Sequence, residues 1–148
     1  MSIPTAASIS ESAVISAPLA QVWHLIKLKD FHSWWDRLST SDEVKDSSAE
    51  SYVVKWSFKD GTTYEVKQEE ALNHYITYSI ISSEPALTYT SVISTIRCYP
   101  VTSGEKEGST FVEWTEYFSS DADAGVIQDA KFKRREALAD LAKAVGKK

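Results

Sequence analysis

The stretch that decides the fold of this chain is 52-YVVKWSFKDGTTYEVKQEE-70. Every second residue of its first half is apolar or aromatic: Tyr52, Val54, Trp56 and Phe58. The dipeptide Asp60-Gly61 that follows is a strong signal for a tight hairpin turn. The second half alternates again, with Tyr64, Val66, Gln68 and Glu70 on one face. Two alternating segments joined in this way predict an antiparallel hairpin.

The same β texture extends outward from this hairpin. Further strands are predicted over residues 8–16, 39–48, 75–82, 88–99 and 110–119, with 39–48 a polar edge strand running into a loop. The turns between them are predicted at Asn73-His74, around Pro85, and over residues 102–108. Consecutive strands joined by short turns are typical of an antiparallel meander.

Helices are predicted at both ends of the meander. Pro18 suits the first turn of a helix over residues 17–26, because its missing N–H would be unpaired there anyway. Asp30 is a candidate cap for a second short helix over residues 31–37. A long helix is predicted to begin at Asp121 or Asp123 and to end at Gly146. One face of it is apolar, with Ile127, Leu138, Leu141 and Val145.

The predicted fold is therefore one α+β domain over residues 1–148, in the order β-α-α-β6-α. The meander has to bury one face, and the long C-terminal helix is the only element large enough to cover it. We expect a curved antiparallel sheet wrapped around that helix. Phe132 lies off the apolar face, which a bend in the helix or a ligand against its first half would explain.

Composition narrows the classes of function. The net charge of −5 argues against a nucleic-acid partner and, more weakly, against an anionic membrane. The N-terminal residues do not resemble a signal peptide, and no stretch is apolar enough to span a bilayer. Cys98 is the single cysteine, which fits a reducing compartment. A cytoplasmic protein, monomeric or weakly dimeric, is expected.

Motifs for cofactors and metals are missing from the sequence. It contains no glycine-rich nucleotide loop and no HExxH motif, and its histidines are scattered at His24, His32 and His74. We therefore expect no cofactor and no metal ion. Cys98 is interpreted as a small buried hydrophobic residue. The basic cluster Lys131, Lys133, Arg134 and Arg135 is interpreted as a solvated helix face.

Two groups of residues carry a resemblance to a known superfamily. Ala17-Pro18-x-x-x-Val22-Trp23-x-x-Ile26, followed by Phe31 and Trp34-Trp35, resembles the start of START-like, birch-pollen-allergen-like (SRPBCC) domains. Residues 94–102 (STIRCYPVT) and 108–114 (GSTFVEW) resemble the polyketide cyclase/dehydrase branch and are similar to plant lachrymatory-factor synthases. The resemblance covers nearly the whole chain and implies a helix-grip fold with an internal ligand cavity.

Two acids are the candidate catalytic residues. The resemblance implies that Trp114 faces the cavity, and Glu116 shares its strand face. A desolvated carboxylate there suits proton transfer. The lachrymatory-factor synthases carry an essential Arg and Glu, and Glu70-Ala71-Leu72 matches the pattern around their Glu, with Glu65 and Glu69 as alternatives. Their Arg has no counterpart, since the region reads Val53-Val54-Lys55.

A ligand pocket is predicted from residues on the same faces as these acids. Its candidate ligand-binding residues are Trp56, Tyr64, Tyr78, Ser94, Trp114 and Phe132. The ligand would be a small apolar or aromatic molecule of the carbonyl type. One hypothesis is an enzyme that catalyses a cofactor-free cyclisation, dehydration or lyase step on it. The alternative is a non-catalytic carrier or sensor, which needs only the pocket and one polar anchor.

Overall fold

The computed structural model describes residues 7–44 and 52–146. Its strands are β1 (Ala7–Ile15), β2 (Leu38–Glu43), β3 (Val53–Phe58), β4 (Thr63–Leu72), β5 (Tyr75–Glu84), β6 (Val92–Pro100) and β7 (Thr110–Phe118). Its helices are α1 (Leu19–Leu25), a 3₁₀ helix (Leu28–Ser33) and α2 (Ala124–Gly146). The predicted order of elements is confirmed. Residues 45–48 of the predicted edge strand lie outside the described residues.

The described strands form one antiparallel sheet in the order β1-β7-β6-β5-β4-β3-β2. Strands β2 to β7 follow one another as a meander, and β1 completes the sheet beside β7. The helix α2 packs along one face of the sheet, as predicted. The chain therefore has the helix-grip architecture.

Both predicted hairpin turns, at Asp60-Gly61 and Asn73-His74, are formed, and their backbone angles suit the residues there. Gly61 has a φ of +95°, a value that favours glycine, and the Asp60 carboxylate accepts the Thr62 N–H at 2.9 Å. Asn73 and His74 both have positive φ, at 46° and 69°, which the tight turn between β4 and β5 requires. The turns at Asp60 and Asn73 thus join β3 to β4 and β4 to β5.

The second short helix differs from its prediction. It is a 3₁₀ helix over Leu28–Ser33 rather than a helix over residues 31–37, and Asp30 lies inside its first turn instead of capping it. Hydrogen bonds from two tryptophan N–H groups explain why this helix begins earlier than predicted. Trp34 donates to the Leu25 carbonyl and Trp56 to the Leu28 carbonyl, each at 2.9 Å. These bonds use carbonyls at the end of one helix and the start of the next, which the periodicity of the sequence does not reveal.

The main core is a block of aromatic side chains between the sheet and the C-terminal half of α2. Phe31 stacks on Trp56 with ring centroids 5.1 Å apart, and Trp35 meets Trp114 edge-on at 5.7 Å. Three residues of the predicted apolar face of α2 cover this block: Leu138, Leu141 and Val145. Because the rings fill this region, it leaves little room for a ligand.

A second, smaller core lies under the N-terminal half of α2. Its buried members are Ile9, Val92, Phe118 and Ala130. Ile127 packs against it from the helix, while Ile80 touches both cores from β5. Phe132 belongs to neither core, and 55% of its surface is exposed. The expectation that Phe132 faces a cavity is therefore wrong, because its place on the helix points it to solvent.

Candidate functional site

A row of polar side chains crosses three neighbouring strands beneath α2. Tyr78 of β5 lies opposite Ser94 of β6, and Ser94 lies opposite Glu116 of β7. Directly opposite residues share one face of a sheet, so all three side chains point toward the helix. Each is almost completely buried, Glu116 being only 3% exposed. A buried carboxylate is costly unless it is paired, so its partners define the site.

Among the described residues, Glu116 has two side-chain partners, one from the sheet and one from the helix. The Ser94 hydroxyl donates a hydrogen bond to its Oε2 at 2.6 Å. The Nε of Arg134 in α2 lies 3.1 Å from the same oxygen. Both contacts therefore go to Oε2, which leaves the lone pairs of Oε1 for another group.

Arg134 enters the site from the helix and is itself buried, with 11% of its side chain exposed. Its guanidinium carbon lies 4.7 Å from the ring centroid of Trp114 and 5.2 Å from that of Trp35. Such positions over aromatic faces favour a cation. The interpretation of Arg134 as part of a solvated basic face is therefore wrong.

The position of Arg134 could have been read from the helix period. It lies four residues before Leu138 and seven before Leu141, on the face that packs against the sheet. Sequence reasoning missed it because it grouped the residue with its basic neighbours. The site receives its positive charge from α2 through Arg134, whereas Lys55 of β3 is exposed.

Electrostatics keep Arg134 charged and the nearby tyrosine protonated. Burial lowers the pKa of the Arg134 guanidinium, but Glu116, Tyr78 and Tyr64 together raise it by more, so that the pKa lies above its ordinary value. Burial raises the pKa of the Tyr78 hydroxyl well above its usual range. Tyr78 is thus a hydrogen-bond donor at any ordinary pH.

Several buried donors around the pair have no hydrogen-bond acceptor among the described residues. They are the Nη1 of Arg134, the hydroxyl of Tyr78 and the indole nitrogens of Trp35 and Trp114. The Nε–H of Arg134 is also poorly aligned on Glu116, so their contact is an ion pair rather than a well-formed hydrogen bond. The site is therefore rich in donors.

A cleft of about 700 Å³ opens along one side of α2. Its aromatic wall is formed by Trp35, Phe58 and Tyr64, which lie edge-on to one another at 5.4 and 5.1 Å. The rim is charged, and ion pairs such as Arg37–Glu136 tie the turn before β2 to α2. Such a cleft suits a ligand with an apolar body.

A recess of about 240 Å³ lies next to the cleft, toward the N-terminal half of α2. Four residues line both spaces: Thr62, Tyr64, Lys133 and Arg134. The apolar lining of the recess is Ile80, Val92, Phe118 and Val126, and Glu116 lies in its wall. A ligand that occupies the recess therefore reaches the carboxylate of Glu116.

One side of the recess is the loop over residues 85–91, which Asp121 holds in place. The Asp121 carboxylate accepts hydrogen bonds from the Ser119 hydroxyl and from the backbone and hydroxyl of Thr90. These bonds lower the pKa of Asp121 to about 2, that of Ser119 contributing most. The cap of α2 is therefore Asp123, whose side chain accepts the Val126 N–H at 2.9 Å.

The predicted ligand-binding residues separate into two groups. Tyr64 lines both spaces, as expected for a residue that contacts a ligand. Trp56, Tyr78, Ser94 and Trp114 are buried but border neither space. The position predicted for the cavity is therefore wrong, because stacked rings fill the place between these residues and the space opens to one side of them.

Glu70 does not point into the site. It is exposed, and it lies opposite Thr77 on the outer face of the sheet. The register of β4 against β5 shifts between Gln68 and Glu70, where one residue on β4 is left unmatched. An extra residue moves everything after it to the opposite face, so the face counting that placed Glu70 inward is wrong. Of the two predicted acids, only Glu116 lies in the site.

The alternative acids of β4 also lie elsewhere. Glu69 is exposed and accepts a hydrogen bond from the Ser79 hydroxyl, and Glu65 lies opposite the exposed Lys55. Cys98 is buried as expected, and burial raises the pKa of its thiol to about 12. Among the described residues, no cluster of histidine, cysteine and acidic side chains is arranged to hold a metal ion.

These features define a class of protein. The family described as "Polyketide cyclase / dehydrase and lipid transport" matches residues 6–146, and the chain belongs to this family. No curated protein is a significant match to the chain. Among the described residues, no helix is both long and apolar enough to cross a membrane.

Solved structures with the same fold include bacterial proteins of similar length. XoxI from Bacillus cereus is 22% identical with a TM-score of 0.75, over 93% of this chain and 94% of that one. A START superfamily protein from Mycobacterium smegmatis is 12% identical with a TM-score of 0.67, over 93% of each chain. The di-domain ARO/CYC protein StfQ of the steffimycin biosynthetic pathway is 15% identical with a TM-score of 0.70, over 92% of this chain and 44% of that one. At these identities the likeness shows the fold.

Proposed function

We propose that the protein binds a small apolar or aromatic molecule with a carbonyl-type group, and that it catalyses a cofactor-free cyclisation, dehydration or lyase step on that molecule. The observation that carries this proposal is the buried Glu116–Arg134 pair in the wall of an aromatic-lined space. A protein that needed only a stable core would more easily place apolar residues there. The family's description and the ARO/CYC activity named for StfQ agree with it.

The chemistry follows from the positions of three side chains. In this proposal, Arg134 and the Tyr64 hydroxyl, which line both spaces, hold a carbonyl oxygen, while the aromatic wall of the cleft holds the body of the molecule. Oε1 of Glu116 then accepts a proton from the carbon beside the carbonyl. As that C–H bond breaks, its electron pair forms a carbon–carbon double bond and the π pair of the carbonyl moves onto its oxygen, where Arg134 stabilises the negative charge. In a dehydration the carbonyl then re-forms, the enolate pair expels the hydroxyl from the next carbon, and Glu116 returns the proton to it, so that it leaves as water.

A carrier or sensor is the second candidate, and one observation favours it. The Ser94 hydroxyl and the Arg134 guanidinium both contact Oε2 of Glu116, so the carboxylate already has partners within the protein without any part in a reaction. A carrier would use the same pair only as a polar anchor. The two candidates therefore predict the same binding and differ in turnover.

Binding is tested first with a fluorescent apolar dye, N-phenyl-1-naphthylamine. We expect the dye to brighten and to quench tryptophan fluorescence, because Trp35 lines the cleft. Tyr64→Ala should weaken dye binding about tenfold, since it removes a ring that lines both spaces. The matched control is Phe132→Ala, which removes an exposed ring on the same helix as Arg134. Equal dye affinity in Tyr64→Ala and the wild type would contradict the proposed site.

Turnover is tested once native mass spectrometry has identified a metabolite that co-purifies with the protein. Glu116→Gln should retain binding and reduce turnover by about 10²- to 10⁴-fold, the range typical of a lost general base. Glu70→Gln makes the same chemical change on the outer face and should leave turnover unchanged. Turnover that survives in Glu116→Gln would exclude the proton shuttle and leave the carrier function.

A further inference from the structure

We infer that the site selects an uncharged hydrogen-bond acceptor and rejects a carboxylate of the same shape. This inference rests on the proposed function, because it concerns the group that the ligand places against Arg134. Two features of the site support this inference. The charges in the recess are balanced, and several buried hydrogen-bond donors around the Glu116–Arg134 pair have no acceptor among the described residues.

The charged residues that line the recess form two pairs. Arg134 lies 3.1 Å from Glu116, and Lys133 lies 2.8 Å from Asp129. The charge of Arg134 is therefore already compensated by a carboxylate inside the wall. A ligand carboxylate placed against Arg134 would lie close to Glu116, and like charges repel strongly where water is scarce. It would also lose its own hydration without gaining a free cation.

Hydrogen bonding favours the opposite kind of ligand, one that accepts without carrying charge. The Nη1 of Arg134 and the Trp35 indole nitrogen are buried, and no acceptor among the described residues reaches them. Both residues line the cleft, and Arg134 also lines the recess. A ketone or quinone oxygen satisfies such donors and adds no second negative charge. An apolar ligand of the same shape leaves them unpaired.

The inference is tested with three naphthalenes that differ in one group of nearly constant shape. 2-Acetylnaphthalene presents a ketone, 2-naphthoate a carboxylate and 2-isopropenylnaphthalene neither. Affinities are measured with wild-type protein by displacement of N-phenyl-1-naphthylamine. We expect the ketone to bind about tenfold more tightly than the alkene, as one well-placed hydrogen bond allows. The carboxylate should bind at least about tenfold more weakly than the ketone, through repulsion by Glu116.

A charge-removing variant sharpens the test. In Glu116→Gln the guanidinium of Arg134 loses its compensating charge, so the preference should reverse and 2-naphthoate should bind more tightly than 2-acetylnaphthalene. Glu70→Gln is the matched control, and its ranking of the three probes should equal that of the wild type. If Glu116→Gln does not fold, the ranking by wild-type protein decides the inference by itself.

The outcomes separate the inference from the proposed function. If the three probes bind the wild type equally, or the carboxylate binds best, the inference is wrong while a binding site remains. If none of the probes displaces the dye and the dye binds Tyr64→Ala as it binds the wild type, the proposed function fails as well. A reversal in Glu116→Gln together with an unchanged Glu70→Gln supports both.

Discussion

The two halves of α2 cover very different parts of the same sheet. Its C-terminal half lies over closely packed rings, where Trp56 and Trp114 are at most 2% exposed. Its N-terminal half lies over a small core of Ile9, Val92 and Phe118, beside an open recess. Arg134 stands near the boundary between them and lines the open side. The C-terminal half of α2 thus covers a closed core and borders the cleft only along its side, while the N-terminal half covers the recess. The difference lies in the size of the side chains beneath the helix.

The largest loss of stability is expected in the aromatic core beneath the C-terminal half of α2. Trp56→Ala should lower the free energy of unfolding by about 4 kcal/mol, because it empties a large buried volume. It also leaves the Leu28 carbonyl without the indole N–H that it accepts at 2.9 Å. Urea denaturation measures the loss. A decrease below about 1.5 kcal/mol would mean that the aromatic block is not tightly packed.

The next largest loss of stability is expected at the Glu116–Arg134 pair, near the boundary between the two cores. Glu116→Gln should lower the free energy of unfolding by about 3 kcal/mol, because it leaves the Arg134 guanidinium buried without its counter-charge. Glu70→Gln, measured in the same urea titration, should change stability by less than about 0.5 kcal/mol. Equal stabilities of the two variants would show that the buried pair is not formed.

A smaller, local effect is expected at the loop over residues 85–91. The pKa of Asp121 is lowered to about 2, so its contribution to holding the loop is present above the ordinary pKa of an aspartate. That contribution should be lost as the pH falls through about 2. Amide hydrogen exchange at Thr90 and Ser91 reports it. In Asp121→Asn, exchange there should be faster at neutral pH. Unchanged exchange would mean that the Asp121 carboxylate does not hold the loop.

The smallest effect is expected on the outer side of α2. Phe132→Ala should change the free energy of unfolding by less than about 0.5 kcal/mol, because the ring is 55% exposed and contacts neither core. The affinity for N-phenyl-1-naphthylamine should also be unchanged. Loss of dye binding in this variant would place the ligand on the outer side of α2, away from the cleft and the recess.

The fold was predictable because its signals are local. The Asp60-Gly61 and Asn73-His74 turns and the alternation around them set an antiparallel sheet, and the phase of Leu138 and Leu141 set the packing of α2. The site was only half predictable. Glu116 follows from its strand face, but the bulge that turns Glu70 outward depends on how two strands pair, which one sequence does not state. The face of α2 that carries Arg134 follows from the helix period, but the ion pair with Glu116 also depends on how α2 lies against β7.

The position of the open space was not predictable for a related reason. Face counting correctly grouped Trp56, Tyr78 and Trp114 on the buried side of the sheet. It did not reveal that Phe31 and Trp35, from the segment after α1, would fill the space above them. Whether a buried face surrounds a cavity or a packed core depends on the volume supplied by the other elements.

The most direct test of the account is a titration of ¹⁵N-labelled protein with 2-acetylnaphthalene, followed through the tryptophan indole N–H signals. The chain has five tryptophans, so the signals are few. The indole N–H of Trp35, which lines the cleft and has no acceptor among the described residues, should shift with ligand concentration. That of Trp56, bonded to the Leu28 carbonyl inside the closed core, should stay in place. A large shift of Trp56 with no shift of Trp35 would contradict the account, because it would put the ligand inside the aromatic core rather than in the cleft beside it.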